Sequence, residues 1–302
     1  MAEQKAGIEK IVSFMGAEND WVKSFDAQTI GLYEPEDAIW NYKDAPHLNC
    51  IHSLAMGCQA MIADNHVAAL HTQKIMGLKF PMTLVEYQFA PNELVYFSTI
   101  IFFTLLVNTK ITKEQEKTVV TTRYYVAGPW FTKPLFYLLK KMVLRNYKVL
   151  MSEDIPMRDR KAELRSAGYS FTHDKTDHSW INSTKIARNN VIFPDKKVII
   201  EIDLRADLGE DGDYLFGDSG LFGVRIHKEG EVFAVYPRLC MHEGACLDGQ
   251  KRDINGVLKC PWHARSIYPL AKFSVNDAFI DSLDAKFSVT KKNTTLTVTI
   301  KA

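Results

Sequence analysis

Hydrophobic and polar positions divide the first half of the chain into a helical start and a β-rich middle. Apolar residues three or four positions apart between Ile8 and Met15 predict a helix near the start. Similar spacing from Cys50 to Met76 predicts a second helix, which carries His66 and His71. β-Branched and aromatic residues dominate from Thr83 to Ala127, with two polar breaks, and predict three or four antiparallel strands.

A long amphipathic helix is predicted after this sheet. Its apolar stripe runs from Pro134 to Met151, and Pro156 is expected to interrupt it before a charged helical piece that reaches Gly168. A twisted antiparallel sheet around one long C-terminal helix is a helix-grip arrangement, which holds an apolar cavity between sheet and helix. Residues 1–171 are therefore predicted to form an α+β, helix-grip (START-like) domain.

The rest of the chain predicts a linker and a smaller domain. Residues 172–190 are polar and irregular, which is typical of a linker. Residues 191–302 contain short apolar runs that predict an all-β domain. The predicted strands are 198–204, 221–227, 232–236, 287–289 and 296–300.

Composition narrows the class of protein. The chain has 302 residues, of which 46% are hydrophobic and 24% charged, which is ordinary for two soluble domains. Its net charge of +1 gives no indication of a nucleic-acid partner. No basic start is followed by an apolar run, so no signal peptide is expected. The odd count of five cysteines favours a reducing, cytoplasmic setting over a disulfide framework.

Two cysteine–histidine pairs are the most specific chemical signal. They are Cys240-Met-His242 and Cys260-Pro-Trp-His263, separated by residues 243–259. Each pair occupies a short loop, so one loop can offer a thiolate to one metal and an imidazole to another. A structural zinc shell of two Cys and two His is the alternative. Zinc fingers, however, place Cys with Cys and His with His.

These two loops resemble those of Rieske proteins, in which two His replace two Cys on one iron of a [2Fe–2S] cluster. The resemblance implies that Cys240, His242, Cys260 and His263 hold such a cluster in an all-β domain. Cytochrome-complex Rieske proteins carry an extra, disulfide-linked Cys in each loop. Here Cys246 has no counterpart in the second loop, so the pattern is closer to oxygenase and ferredoxin Rieske domains. Ala264-Arg265 departs from the Gly and aromatic residue usual there.

A second metal site is predicted in the N-terminal half. The H-x4-H spacing of His66 and His71 resembles that of Rieske non-haem iron oxygenases, whose catalytic domain has a helix-grip fold. That family binds Fe(II) through two His and one carboxylate. The resemblance implies Asp154 as the third ligand, since it lies on the core-facing side of the long helix and Glu153 does not. The alternatives are packed, hydrogen-bonded histidines and an Asp154 that caps a helix restarting at Pro156.

Two departures from that family were noted. Its Rieske domain usually precedes the catalytic domain, whereas the order here is reversed. It also places an Asp three residues before the first His, to bridge the two metal sites. Here that position is Ala63, so the candidates for the role are Asp64, one residue later, after a local shift of the backbone, or an unrelated residue. The remaining histidines are expected to be surface or hydrogen-bonded residues and not metal ligands; they are His47, His52, His173, His178 and His227.

The resemblance implies an oxygenase component that hydroxylates, demethylates or desaturates a hydrophobic substrate such as a steroid, lipid or aromatic compound. Its implied partners are O₂ and a separate reductase or ferredoxin, because each turnover needs two electrons and the cluster supplies one at a time. A homo-oligomer, as in the family's trimers, is also implied. The alternative from another class is a Rieske electron carrier fused to a lipid-binding helix-grip module without iron. A zinc-stabilised structural protein is a third.

Overall fold

The computed structural model describes residues 2–62, 66–75, 78–100, 102–172, 191–218, 222–277, 280 and 286–300. They form two compact units: the first holds the described residues up to Ala162, and the second holds those from Glu163 onward. The last turn of the long helix therefore belongs with the second unit.

The first unit is a single antiparallel sheet with helices at its start, in its first connection and at its end. In chain order its elements are α1 (Ala2–Glu18), β1 (Trp21–Gly31), α2 (Pro35–Lys43), a 3₁₀ helix (Ala45–Asn49), β2 (Ala55–Ile62), β3 (His66–Ile75), β4 (Leu78–Ala90), β5 (Glu93–Ile100), β6 (Phe103–Glu114), β7 (Lys117–Gly128), a second 3₁₀ helix (Trp130–Leu135) and α3 (Phe136–Ser166). The strand order is β1-β7-β6-β5-β4-β3-β2.

The core of this unit lies where α3 packs on the sheet. Strand residues alternate between the two faces, and in β7 every second residue from Thr118 to Gly128 is buried. Phe25 and Tyr124, paired across β1 and β7, stack with ring centroids 5.0 Å apart, and Tyr147 of α3 meets Tyr124 edge-on at 6.4 Å. The sheet and long helix form the predicted helix-grip arrangement, and the N-terminal helix is confirmed as α1.

The predicted helix from Cys50 to Met76 is wrong. This stretch forms β2 and β3, and β3 pairs with β2 on one side and β4 on the other. Its alanines favour a helix locally, but pairing on both edges of β3 provides backbone partners that an isolated segment would lack. The periodicity is that of a strand: Val67 and Ala69 are buried while Leu70, between Ala69 and His71, is 59% exposed.

Two other expectations need correction. Among the described residues the sheet has seven strands, not three or four, because β1 and the β2–β3 hairpin join it. Pro156 does not interrupt the long helix, which continues through it to Ser166. Proline removes one N–H from the helix, and burial of Asp154, Met157 and Arg158 around it holds the segment in place.

The second unit is all-β apart from the end of α3. Its strands are β8 (Ser170–Phe171), β9 (Val191–Ile192), β10 (Val198–Asp203), β11 (Gly212–Gly217), β12 (Gly223–Glu229), β13 (Val232–Pro237), β14 (Leu258–Lys259), β15 (Ser266–Ile267), β16 (Ala271–Ser274), β17 (Phe287–Lys292) and β18 (Thr295–Ile300). The main sheets have the orders β11-β12-β13-β16 and β10-β18-β17. All five predicted strands are present, with bounds that differ from the predicted ones by up to three residues. Most of the predicted linker, residues 173–190, lies outside the described residues.

Candidate metal centre

A short connection between α2 and β2 supplies the site's two histidines. α2 begins at Pro35 with a capping box formed by Glu34 and Asp37, and it ends at Lys43. The following 3₁₀ helix carries His47, and its last residue, Asn49, donates its side-chain N–H to the carbonyl oxygen of Cys58 at 3.0 Å. This bond fixes the connection against β2.

Three donor atoms converge there from two parts of the chain. His47 Nε2 lies 3.1 Å from His52 Nε2, and Asp154 Oδ1 of α3 lies 3.4 Å from the first and 3.3 Å from the second. All three side chains are buried, with 2%, 7% and 5% of their residues' surface exposed. Their ligand atoms all lie within 4.8 Å of one another, close enough to hold one metal ion together.

The triangle of donors fits a single metal ion. Donors about 2.1 Å from a metal and 90–110° apart are separated by about 3.0–3.4 Å, which matches the three observed distances. Two imidazoles and one carboxylate are the ligand set of non-haem Fe(II) oxygenases, and a similar set binds catalytic zinc. The residues present therefore fit the mononuclear iron that the family resemblance implies.

Neighbouring groups orient the three donors. His52 Nδ1 lies 2.9 Å from Glu153 Oε2, the kind of carboxylate–histidine contact that fixes a ligand's tautomer. Asp154 Oδ1 accepts from Asn41 Nδ2 at 3.3 Å, and the Arg158 guanidinium lies 3.7 Å from Asp154 Oδ2. Arg158 in turn donates two bonds to Asn41 Oδ1, at 2.9 and 2.6 Å.

Charges around the site favour an anionic Asp154. Burial disfavours its charged form, but hydrogen bonding to His47 and the charges of His47 and Arg158 hold its pKa below the usual value. Burial also disfavours a charged His47, yet Asp154 and Asp44 raise its pKa to about 10. Without a metal, a proton on His47 neutralises the carboxylate, and a bound cation would take over that role.

The triad forms one end of an apolar cavity of about 250 Å³ between the sheet and α3. Its walls are mainly aliphatic, with four tyrosine rings among them. The tyrosines are Tyr42, Tyr96, Tyr124 and Tyr147. His71 of β3 also lines it, and His71 Nε2 is buried with no hydrogen-bond partner among the described residues. Burial lowers the pKa of His71, which favours a neutral imidazole facing the cavity.

The predicted pairing of His66 with His71 as iron ligands is wrong. Both residues lie on β3, five positions apart. A strand rises about 3.3 Å per residue, so their backbones are about 16 Å apart, too far for both side chains to bind one ion. Asp154 does contribute a donor to the triangle, whereas Glu153 contacts the other ring nitrogen of His52, Nδ1. Asp64 lies outside the described residues.

The spacing of His47 and His52 could have been found in the sequence. His47 and His52 have the same H-x4-H spacing that was noted for His66 and His71. Asp44 stands three residues before His47, at the position where the oxygenase family places its bridging Asp, and Asp44 Oδ2 lies 3.6 Å from His47 Nδ1. Residues 44–53 show no helical or strand periodicity that would mark them as a structured site.

The second unit brings the two Cys–His loops together. Their backbones share one pattern: the cysteine N–H donates to the carbonyl five residues on, and the N–H four residues on donates back to the cysteine carbonyl. The rings of His242 and His263 lie 4.9 Å apart, and Cys240 and Cys260 are both buried. A hydrogen bond between the two cysteine side chains lowers the pKa of Cys240. The same hydrogen bond, together with burial, raises the pKa of Cys260.

Paired thiols beside paired imidazoles fit the donor set of a Rieske cluster, in which one iron takes both Cys and the other both His. Gly244 and Ala264 occupy equivalent positions, and both have positive φ, +85° and +51°. The departure at Ala264 therefore places a side chain where the loop geometry favours glycine.

Comparisons with known proteins give fold likenesses and nothing closer. No family model and no curated protein matches the chain. The di-domain aromatase/cyclase StfQ of the steffimycin pathway is 12% identical over 48% of this chain and 53% of its own, with a TM-score of 0.44. The Zhui aromatase/cyclase from Streptomyces sp. R1128 is 10% identical over 49% of this chain and 99% of its own, with a TM-score of 0.43. A START superfamily protein from Mycobacterium smegmatis is 11% identical over 42% of this chain and 97% of its own, with a TM-score of 0.34.

Proposed function

We propose that the first unit binds a hydrophobic small molecule and oxidises it at a mononuclear iron held by His47, His52 and Asp154. The observation that carries the proposal is the buried donor triangle at one end of an apolar cavity. Iron held by two His and one carboxylate keeps coordination positions open, where it would supply activation of O₂. A cluster held by the two Cys–His loops would supply electrons singly.

The chain's own residues give the site its selectivity. Aliphatic and aromatic walls favour an apolar skeleton and exclude water from the triad. The neutral His71 imidazole can exchange one hydrogen bond with a hydroxyl or carbonyl group of the ligand. The substrate class is thus an apolar molecule with at least one polar oxygen.

The stoichiometry of the proposed reaction requires an external electron source. Insertion of one oxygen atom into a C–H bond consumes O₂, two electrons and two protons, and it releases one water. A reductase or ferredoxin partner is therefore part of the proposal.

Iron analysis of protein purified without air tests the assignment. Wild type should hold three irons per chain, and His47→Ala should hold two while keeping the visible spectrum of the cluster. His71→Ala serves as the matched control, because it should keep all three irons and lose ligand affinity instead. Retention of the third iron in His47→Ala, or its loss in His71→Ala, would overturn the assignment.

A second candidate function is a ligand-binding helix-grip module joined to an electron carrier, without mononuclear iron. The apolar cavity supports it as well, because any helix-grip module with such a cavity can hold a lipid-like ligand. The same analysis separates the two functions: two irons per chain in wild type, with ligand binding intact, would favour this second candidate.

A further inference from the structure

An exposed apolar surface lies at the start of α3, away from the triad. Five residues form it, and we call it the aromatic face: Phe102, Trp130, Phe131, Leu135 and Leu138. Each is at least half exposed, and Trp130 is 73% exposed. The rings are contiguous, with Phe131 5.8 Å from Phe102 and 5.9 Å from Trp130 between centroids. Exposed apolar patches of this kind mark interaction sites.

Cations follow the aromatic face along the helix. Residues 128–152 contain five Lys or Arg and no Asp or Glu, although the whole chain has a net charge of only +1. On α3 the exposed residues Lys141, Arg145 and Lys148 continue the helix side that carries Leu138, at about 4.5, 10 and 15 Å along the axis. An apolar tip followed by a ladder of cations is the arrangement that binds the interface of an anionic bilayer.

One acidic side chain, that of Asp20, contacts the backbone of the aromatic face. Asp20 Oδ2 accepts a hydrogen bond from the Trp130 backbone N–H at 2.8 Å, which holds the turn that presents Trp130. No described helix is both long and apolar enough to cross a membrane. A surface contact, with the aromatic face inserted at headgroup depth and the cations at the phosphates, matches these features.

We propose that this face docks the protein on an anionic lipid surface. The aromatic face adjoins the cavity wall, because Ile100, two residues before Phe102, and Met142, one turn after Leu138, both line the cavity. The triad carboxylate of Asp154 lies about 24 Å further along α3 from Leu138. A ligand could thus pass from the bilayer into the cavity and on to the metal end. This supply route rests on the proposed function, whereas the docking itself does not.

Flotation of the full-length protein with vesicles tests the docking. Vesicles of phosphatidylcholine alone are compared with vesicles in which about a third of the lipid is phosphatidylserine. Wild type should float with the anionic vesicles only, and less so as salt is raised. Combined Trp130→Ser, Phe131→Ser and Leu138→Ser should weaken binding at least tenfold. Combined Lys133→Glu, Lys141→Glu and Arg145→Glu should weaken it by about a hundredfold or more.

Matched controls separate this face from generally exposed groups. Ile254→Ser with Tyr268→Ser removes two other exposed apolar side chains, and Lys251→Glu with Lys272→Glu reverses two other exposed cations. Neither pair should change vesicle binding. Trp130→Phe should bind like wild type but lose the quenching of tryptophan fluorescence by brominated lipid.

Three results would overturn the docking proposal. One is the absence of binding by folded wild type, and another is equal binding by the aromatic-face variant. The third is a homo-oligomer that this variant dissociates while vesicles bind neither protein, since the occupant would then be a second copy of the chain. None of these results depends on iron content, so they leave the proposed oxygenation to its own test.

Discussion

Glu153 and Asp154 are neighbours on α3, yet they point in different directions and have different partners. Asp154 points into the core and reaches both histidines, while Glu153 lies a hundred degrees round the helix and contacts His52 from the outer side. Glu153 also accepts from the Ser53 backbone N–H at 3.1 Å. It therefore holds the loop that carries His52, as a positioning residue and not a ligand.

Glu153→Ala is expected to weaken iron binding 10–100-fold, a range typical for loss of a carboxylate behind a ligating His. The imidazole of His52 would lose the group that orients it, and the backbone N–H of Ser53 would lose its hydrogen-bond acceptor. Competition with a chelator measures the affinity. Glu153→Gln should recover part of it, since the amide oxygen still accepts a hydrogen bond. Glu116→Ala, in the exposed turn between β6 and β7, is the control, and an equal loss there would contradict the assignment.

The two Cys–His loops make a second prediction at the residue scale. Ala264 holds a positive φ of 51°, which costs an L-residue roughly 1–2 kcal/mol. Ala264→Gly is expected to raise the free energy of unfolding of the second unit by about 1 kcal/mol. Gly244→Ala should lower it by more, because an added Cβ would lie 2.2 Å from Leu164 Cδ1.

Chemical unfolding measures both changes. Ala206→Gly, at an exposed position without positive φ, is the control for the added freedom of the unfolded chain, and it should be neutral or destabilising. If Ala264→Gly behaved like Ala206→Gly, the strain argument would fail.

At the element scale, α2 docks on β4 through a buried charged pair. Lys43 and Glu86 are each 1% exposed, and the Lys43 ammonium donates to Gln88 Oε1. Burial lowers the pKa of Lys43 from 10.5 to about 8, with Glu86 opposing it. Burial raises the pKa of Glu86 from 4.5 to about 8, with Lys43 opposing it. Because α2 leads directly into the connection that carries His47, this pair also fixes the base of the metal site.

Lys43→Met is expected to lower the free energy of unfolding by about 3–5 kcal/mol at pH values above about 8, where Glu86 is ionised and would be buried without its cation. Glu86 titrates at a higher pH when folded than when unfolded. The deficit should therefore be largest above about pH 8 and should shrink as pH falls through about 8, because the folded carboxyl is then protonated with or without Lys43.

The double variant Lys43→Met with Glu86→Gln should recover most of that stability, since no buried charge remains. Lys117→Met, at an exposed position, should change stability little at any pH. A deficit in Lys43→Met that grew on acidification would show that the pair does not act as described.

At the scale of the whole molecule, each unit has its own hydrophobic core and its own donor set. Loss of one metal group should therefore leave the other in place. Cys260→Ser is expected to remove the cluster's two irons and the visible absorbance, leaving one iron per chain. Iron and sulfide analysis with visible spectroscopy measures this.

Cys246→Ser supplies the control, because Cys246 lies in the same region but is exposed. It should keep all three irons and the full spectrum. Loss of the cluster in Cys246→Ser would mean that the resemblance to Rieske loops assigns the wrong thiols.

Local spacing was enough to predict several elements and donors. The amphipathic stripe placed α3, the β-branched runs placed β4 to β7 and the strands of the second unit, and helix geometry turned Asp154 toward the core. Spacing failed for residues 50–76, because alanine-rich segments favour a helix until neighbouring strands supply their backbone partners. That error carried His66 and His71 into a site that β3 cannot form.

Residue type and the helical period alone settle which donors the chain possesses and the side of α3 on which Asp154 lies. Only the tertiary structure decided which histidines meet that carboxylate. His47 and His52 stand more than a hundred residues before Asp154 in a connection without periodicity, and the packing of α2 and α3 on one sheet brings their nitrogens within 3.4 Å of its oxygen.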